Sequence, residues 1–126
     1  MSPMRLSTVV LDAPDARQLA RFYQRLLGYV VREAEADWVL IGPPGSGVGL
    51  AFQTEPAYVP PVWPGREPGA QQMMLHLDIE VDDLDGESAR ALAEGATLAA
   101  YQPQDDVRVL LDPAGHPFCL WTPEAQ

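Results

Sequence analysis

The pattern of apolar and polar positions repeats once along the chain. Residues 8–15 (TVVLDAPD) and 76–83 (HLDIEVDD) are apolar-rich runs, and each ends at an aspartate before a helical pattern. The first helical pattern closes at Gly28 and the second at Gly95. The two final aspartates lie 68 residues apart and the two glycines 67, which is the spacing that an internal duplication leaves. We therefore interpret the chain as two copies of one module.

Within each copy, the spacing of apolar residues predicts one strand, one helix and three further strands. In the first copy, a helix begins after Asp15 and stops at Gly28, and its apolar positions are Leu19, Phe22, Tyr23 and Leu26. The predicted strands of this copy cover residues 5–12, 29–33, 38–41 and 48–53. In the second copy, a helix lies between Asp83 and Gly95, and the strands cover residues 73–81, 96–99, 107–111 and 118–121.

The strand at 73–81 has the strongest alternation in the sequence. One face is apolar, with Met73, Leu75, Leu77, Ile79 and Val81, and the other carries Met74, His76, Asp78 and Glu80. We expect the apolar face to pack on a helix and the opposite face to present titratable groups. Because residues two positions apart on one strand face are separated by about 7 Å, we expect Asp78 and Glu80 to lie in solvent rather than against His76.

Five prolines distinguish the segment between the two copies. They restrict residues 54–72 while preventing regular structure, so we predict a stiff connector within a single domain that covers residues 1–126. Module one then covers about 5–53 and module two about 73–122. The connector carries Tyr58 and Trp63, and these rings either cover a pocket or dock the loop on the core.

Composition narrows the classes of partner and location. The formal net charge is −10, and all eight basic residues are arginine. The absence of lysine excludes Schiff-base catalysis, and the acidic surface disfavours nucleic acid. No apolar run approaches the roughly 20 residues that span a bilayer, so we expect no membrane partner. A single cysteine, Cys119, and a start without the layout of a signal peptide predict a cytoplasmic protein.

The element order makes the chain α+β, and several motifs resemble one superfamily. These are Phe22-Tyr23 with Leu27-Gly28 at the end of the first helix, the passage from His76 to Asp83, and Asp112-Pro113-Ala114-Gly115 before the last strand. In this order they resemble the vicinal oxygen chelate superfamily, which includes glyoxalase I, extradiol dioxygenases and fosfomycin- and bleomycin-resistance proteins. The glyoxalase-like subgroup is similar at Trp63-Pro64, Gln71-Gln72, His76-Leu77-Asp78 and Gly115-His116-Pro117-Phe118-Cys119-Leu120.

The resemblance implies that each βαβββ module curls its sheet into half of a cup. Metal enzymes of the superfamily place ligands on the first and last strand of each module. Carried over, these positions are Thr8, His76, Cys119 and either Ala51 or Gln53. By alternation Ala51 and Gln53 share one face, whereas Leu50 and Phe52, like Phe118 and Leu120, point to the helices. The enzymes use His, Glu or Gln there, and only His76 is a standard match. The sequence therefore favours no metal, and a divalent Zn, Ni, Mn or Fe ion held by His76, Cys119 and Gln53 is the alternative.

The favoured interpretation is a small-molecule-binding protein with a degenerate metal site. Its predicted ligand-binding residues are Thr8, Gln53, Trp63, His76, Cys119 and Trp121. One alternative is a metal-dependent lyase, isomerase or dioxygenase. Another is a metal-free enzyme in which His76 activates Cys119 as a nucleophile, against which stands the behaviour of most free cysteines as small buried apolar groups. We expect His116 to brace its turn, and we predict a homodimer because relatives form the cup within one chain or across two.

Overall fold

The computed structural model describes residues 3–65 and 67–123, and the chain divides into two compact units, Met1–Tyr58 and Val59–Gln126. The elements of unit one are β1 (Thr8–Ala13), α1 (Ala16–Leu27), β2 (Val30–Ala34), β3 (Trp38–Gly42) and β4 (Gly49–Thr54). Those of unit two are β5 (Leu77–Glu80), α2 (Leu84–Glu94), β6 (Thr97–Leu98), β7 (Val107–Leu111) and β8 (Pro117–Trp121). The predicted α+β class with two βαβββ modules is confirmed.

The two sheets share one topology. Their strand orders are β1-β4-β3-β2 and β5-β8-β7-β6. In each sheet the first and last strands of the unit are parallel neighbours, and the other pairs are antiparallel. The duplication inferred from spacing is therefore also present in the strand pairing.

Both helices have the ends that the sequence predicts. The Asp15 carboxylate accepts a hydrogen bond from the backbone N–H of Arg17, and the Asp83 carboxylate accepts one from that of Gly86. These bonds satisfy amide groups that have no partner within the helix. Gly28 closes α1 in the left-handed conformation with φ 70°, which costs glycine little. In the described part of the chain, neither helix is long and apolar enough to cross a membrane.

In unit one the core lies between α1 and its sheet. Leu50 and Phe52 of β4 are buried, as the alternation predicts, and the ring of Tyr23 stacks on that of Phe52 with centroids 5.7 Å apart. Burial of such side chains contributes about 1.5–3 kcal/mol each. Ala51 is buried as well, whereas Gln53 is exposed.

In unit two, β8 alternates in the same way. Phe118 and Leu120 are buried, and their strand packs against α2. Arg108 is the register partner of Leu120, and its guanidinium lies 3.2 Å from the Asp85 carboxylate of α2. Arg108 is therefore on the helix side of the sheet. Cys119 and Trp121 lie on the opposite face and are only half-buried.

The predicted strand at 73–81 is longer than the strand observed. It begins at Leu77 because pairing with β8 starts there, opposite Phe118, and it ends at Glu80. Met74 and Leu75 precede it and are 81% and 59% exposed, so Leu75 does not join the buried face that the alternation predicts. The first strand is likewise shorter at its start, since β1 begins at Thr8 rather than at residue 5.

Candidate functional site

Three titratable side chains meet at one edge of the unit-two sheet. Asp78 and Cys119 are register partners in the parallel strands β5 and β8, so their side chains share a face. His76 lies just before β5, and its Nε2 atom is 3.2 Å from Asp78 Oδ1. One metal-ligating atom from each of the three residues lies within 4.8 Å of the other two. The structure therefore brings His76 and Cys119 together and adds Asp78.

The expectation that Asp78 stays away from His76 was wrong. The separation of about 7 Å applies to backbone positions within a regular strand. His76 lies before the first paired residue of β5, and its ring reaches the carboxylate of Asp78. The spacing of two residues was the signal that could have identified Asp78 as a third member of the cluster.

The surroundings of Cys119 keep its thiol protonated. Burial, the negative charge of Asp78 and a hydrogen bond with that carboxylate together raise the pKa of Cys119 to about 11, and burial is the largest of these causes. A nucleophilic cysteine needs a lowered pKa, because the thiolate is the reactive form. This environment argues against an activated Cys119 in the metal-free protein.

The same sheet face carries an aromatic ring beside the cluster. Glu80 and Trp121 form the next register pair on this face, two residues beyond Asp78 and Cys119, and Trp121 is half-buried. A flat apolar ring next to groups that donate and accept hydrogen bonds is a combination typical of small-molecule sites. The face can therefore bind an organic ligand through both kinds of contact.

Trp63 lies in the proline-rich connector and packs within unit two. Its ring contacts that of Tyr101 with centroids 5.6 Å apart, and its peptide bond to Pro64 is cis. The loop is closed by a parallel bridge between Val62 and Gln72. Trp63 therefore docks its loop on unit two, which is one of the two roles that the sequence allowed.

In unit one, strand register separates the two candidates for the fourth ligand position. Val10 pairs with Ala51 in the way that Asp78 pairs with Cys119, and Asp12 pairs with Gln53 two residues further along. Ala51 is thus the counterpart of Cys119, 68 residues earlier, and its methyl group cannot ligate a metal. Thr8, at the start of β1, pairs with Gly49.

His116 belongs to a separate arrangement in the turn before β8. Its Nδ1 atom lies 2.9 Å from Asp112 Oδ2, and the buried Asp112 carboxylate also accepts hydrogen bonds from the backbone N–H groups of Ala114 and His116. His116 braces the turn, as the sequence predicts. It is not part of the group formed with Cys119.

The paired βαβββ units place this chain in the glyoxalase/bleomycin-resistance/dioxygenase fold class, within the vicinal oxygen chelate superfamily. Residues 8–121 match the family profile described as Glyoxalase-like domain, and the chain belongs to that family. A search of curated proteins found no match.

Solved structures with this fold carry different functions in their names. A glyoxalase/bleomycin resistance protein/dioxygenase family enzyme from Burkholderia phytofirmans is 21% identical, with a TM-score of 0.69 and coverage of 94% of this chain and 98% of its own. The antibiotic-binding protein TnmS3 from Streptomyces is 19% identical, with a TM-score of 0.64 and 98% coverage of both chains. A lactoylglutathione lyase from Agrobacterium tumefaciens is 14% identical, with a TM-score of 0.60 and coverage of 99% of this chain and 98% of its own. At these identities the likeness establishes the fold alone.

Proposed function

We propose that this chain is a small-molecule-binding protein whose ligand contacts the face of the unit-two sheet opposite α2. The observation that carries the proposal is the half-buried Trp121 beside the cluster of His76, Asp78 and Cys119. An aromatic ring supplies apolar contact area, and the cluster supplies polar groups that orient a ligand. The antibiotic-binding neighbour TnmS3 supports the same type of function.

Trp63, which belongs to unit two, is proposed as a further ligand contact on the strength of the family resemblance. Thr8 and Gln53 belong to unit one, and they stay ligand-binding residues predicted from the sequence. The acidic chain, with a net charge of −10, favours a neutral or cationic ligand over an anionic one.

Tryptophan fluorescence tests the position of the ligand. The protein is titrated with a panel of aromatic antibiotics that includes bleomycin, and we expect at least one compound to quench the emission. Trp121→Phe should remove most of the quenching, whereas the matched variant Trp38→Phe, in unit one, should retain it. Equal quenching in wild type and Trp121→Phe would place the ligand elsewhere.

Metal-dependent chemistry of the lyase, isomerase or dioxygenase type is a second candidate function. The specific observation that favours it is the presence of a nitrogen, an oxygen and a sulfur ligand atom within 4.8 Å of one another. An assay of lactoylglutathione formation from glutathione and methylglyoxal, with Zn²⁺, Ni²⁺, Mn²⁺ or Fe²⁺ added, tests the lyase. Activity that is lost in His76→Ala would favour this candidate over simple binding.

We also propose a cytoplasmic homodimer. The single cysteine fits a reducing compartment, and the superfamily resemblance supports pairing of chains. Light scattering at micromolar concentration should give twice the chain mass of 13.8 kDa. A mass equal to that of one chain would contradict the dimer.

A further inference from the structure

We propose that His76, Asp78 and Cys119 form a zinc site within unit two, with imidazole nitrogen, carboxylate oxygen and cysteine sulfur as its three protein ligands. This set differs from the one that the resemblance implies, since Asp78 takes the place of Gln53. The inference does not rest on small-molecule binding, because either property can fail while the other holds.

The geometry of the cluster is close to what zinc requires. With bonds of about 2.0–2.3 Å in a tetrahedral site, neighbouring ligand atoms lie about 3.5 Å apart. The pair His76 Nε2 and Asp78 Oδ1, at 3.2 Å, already has this spacing. All three ligand atoms lie within 4.8 Å of one another, so side-chain rotations that move an atom by about 1 Å would complete the set.

The donor atoms select the type of ion. Thiolate and imidazole are soft or intermediate ligands that suit Zn²⁺, whereas Mg²⁺ and Ca²⁺ require shells made of oxygen. Zinc binds imidazole nitrogen, carboxylate oxygen and cysteine sulfur alike, which suits this mixed set of ligands. When the sulfur binds zinc, the thiol proton of Cys119 leaves to solvent.

The exposure of the cluster leaves room for a fourth ligand. The side chains of His76 and Asp78 are 37% and 61% exposed, so an ion can enter from solvent and keep a water molecule or a small ligand. Three protein ligands with one open position are typical of catalytic zinc sites, whereas structural sites are closed by four. Such a site would let an organic ligand of unit two bind to the ion directly.

Unit one provides an internal control for the origin of the cluster. At the matching positions, 68 residues earlier, it carries Thr8, Val10 and Ala51. These side chains form the same type of parallel pair without an imidazole, a carboxylate or a thiol. The scaffold therefore does not require polar groups at this register, and the three ligating residues of unit two are not a by-product of the fold.

Cobalt titration tests the site without depending on activity. Co²⁺ is added under an oxygen-free atmosphere to reduced, metal-free protein, and we expect a thiolate-to-cobalt absorption band that saturates at one ion per chain. Zn²⁺ should displace the cobalt, and an excess of Mg²⁺ should not. Isothermal titration with Zn²⁺ then gives the affinity of each variant.

Variants assign the three ligands. Cys119→Ser should abolish the thiolate band, and His76→Ala and Asp78→Asn should each weaken zinc binding by about tenfold or more. Glu80→Gln is the matched control, because this carboxylate is the next one on the same strand face, and it should bind zinc like wild type. Circular dichroism and thermal melting establish that each variant is folded.

Three outcomes would overturn the proposal. The first is folded wild-type protein that binds neither Co²⁺ nor Zn²⁺ in stoichiometric amount. The second is a cobalt band that persists in Cys119→Ser. The third is an Asp78→Asn variant with wild-type zinc affinity, which would leave the carboxylate outside the ligand set.

Discussion

The two units of this chain share a scaffold and differ in chemistry. Strand order, the aspartate caps of the helices and the parallel pairing of first and last strands are the same in both. At three matched positions, however, unit one has Thr8, Val10 and Ala51, where unit two has His76, Asp78 and Cys119. The duplicated fold therefore forms with or without polar groups on this face. The residues of unit two are therefore the better candidates for function.

The units also differ in how their helices are packed. α1 buries six residues, including Leu19, Phe22, Tyr23 and Leu26, whereas α2 buries only Ser88 and Ala91. The larger apolar face of α1 removes more surface from water. Unit one is thus the more strongly packed half, and unit two carries the polar cluster.

We expect the largest losses of stability from truncating a core side chain in either unit. Phe52 and Leu120 occupy matched positions 68 residues apart, and both are fully buried. We expect Phe52→Ala to lower the free energy of unfolding by about 3–5 kcal/mol, because it removes a ring that stacks on Tyr23. Leu120→Ala should cost about 2–5 kcal/mol, at the lower end because α2 covers less surface.

Urea denaturation of both variants measures these costs. The volume-conserving substitution Leu120→Met, expected to cost under about 1.5 kcal/mol, controls for any general sensitivity of β8. A clearly larger loss for Leu120→Ala than for Phe52→Ala would contradict the assignment of the stronger packing to unit one.

Cys119 should react slowly with alkylating agents in the folded protein. Because its pKa is raised to about 11, the thiol stays protonated through neutral pH, and the thiolate appears only as pH approaches that value. Alkylation by iodoacetamide at pH 7.5 should be roughly a hundredfold slower than in urea-unfolded protein, because the pKa differs by about two units. The rate is followed by mass spectrometry across pH.

The variant Asp78→Asn isolates the effect of the carboxylate on the pKa of Cys119. Removing the carboxylate charge should lower the pKa of Cys119, and the alkylation profile should then move to lower pH without reaching that of the unfolded chain, since burial remains the largest cause. A profile identical to that of wild type would show that Asp78 does not act on the thiol.

The turns before the last strand of each unit are held in different ways. In unit two the buried Asp112 carboxylate accepts hydrogen bonds from the backbone N–H groups of Ala114 and His116 and contacts the His116 ring, whereas in unit one the exposed Arg32 donates to the carbonyl groups of Pro43 and Gly45. Asp112→Ala should cost about 1–3 kcal/mol, because partly buried N–H donors lose their acceptor. Arg32→Ala should cost under about 1 kcal/mol, since its contacts are exposed. Thermal denaturation should rank the two in this order, and the reverse order would contradict the account.

The helix N-caps, which are alike in the two units, should contribute least to stability. Asp15→Ala and Asp83→Ala each remove one N-cap acceptor, so each should cost about 1 kcal/mol by urea denaturation. The variants Asp15→Asn and Asp83→Asn keep an acceptor oxygen and should retain most of the stability. A cost confined to one helix would weaken the equivalence of the two scaffolds.

Periodicity predicted the scaffold because helices and half-buried strands have distinct spacings. The helix ends at Gly28 and Gly95 follow directly from sequence, since glycine adopts positive φ at little cost. The start of β5 could not be predicted in this way. Residues 73–76 alternate as a strand does, but a strand also needs a partner, and β8 pairs only from Leu77 onward.

The site was harder to predict than the fold. Alternation identified the faces of β4 but could not distinguish Ala51 from Gln53, because a shift of two residues leaves the face unchanged and only the register separates them. Periodicity does not identify Asp78 as a neighbour of His76, because His76 lies outside the strand and ideal strand spacing does not hold there. Both gaps concern three-dimensional pairing, which composition and period do not encode.

Nuclear magnetic resonance of ¹⁵N-labelled protein during addition of Zn²⁺ tests whether the chemistry resides in unit two. We expect the largest backbone shifts at His76, Asp78 and Cys119, and we expect these shifts to saturate at one ion per chain. Their counterparts Thr8, Val10 and Ala51 should shift far less. Equal or larger shifts at these three residues of unit one, or no saturable shift at Cys119, would contradict the account.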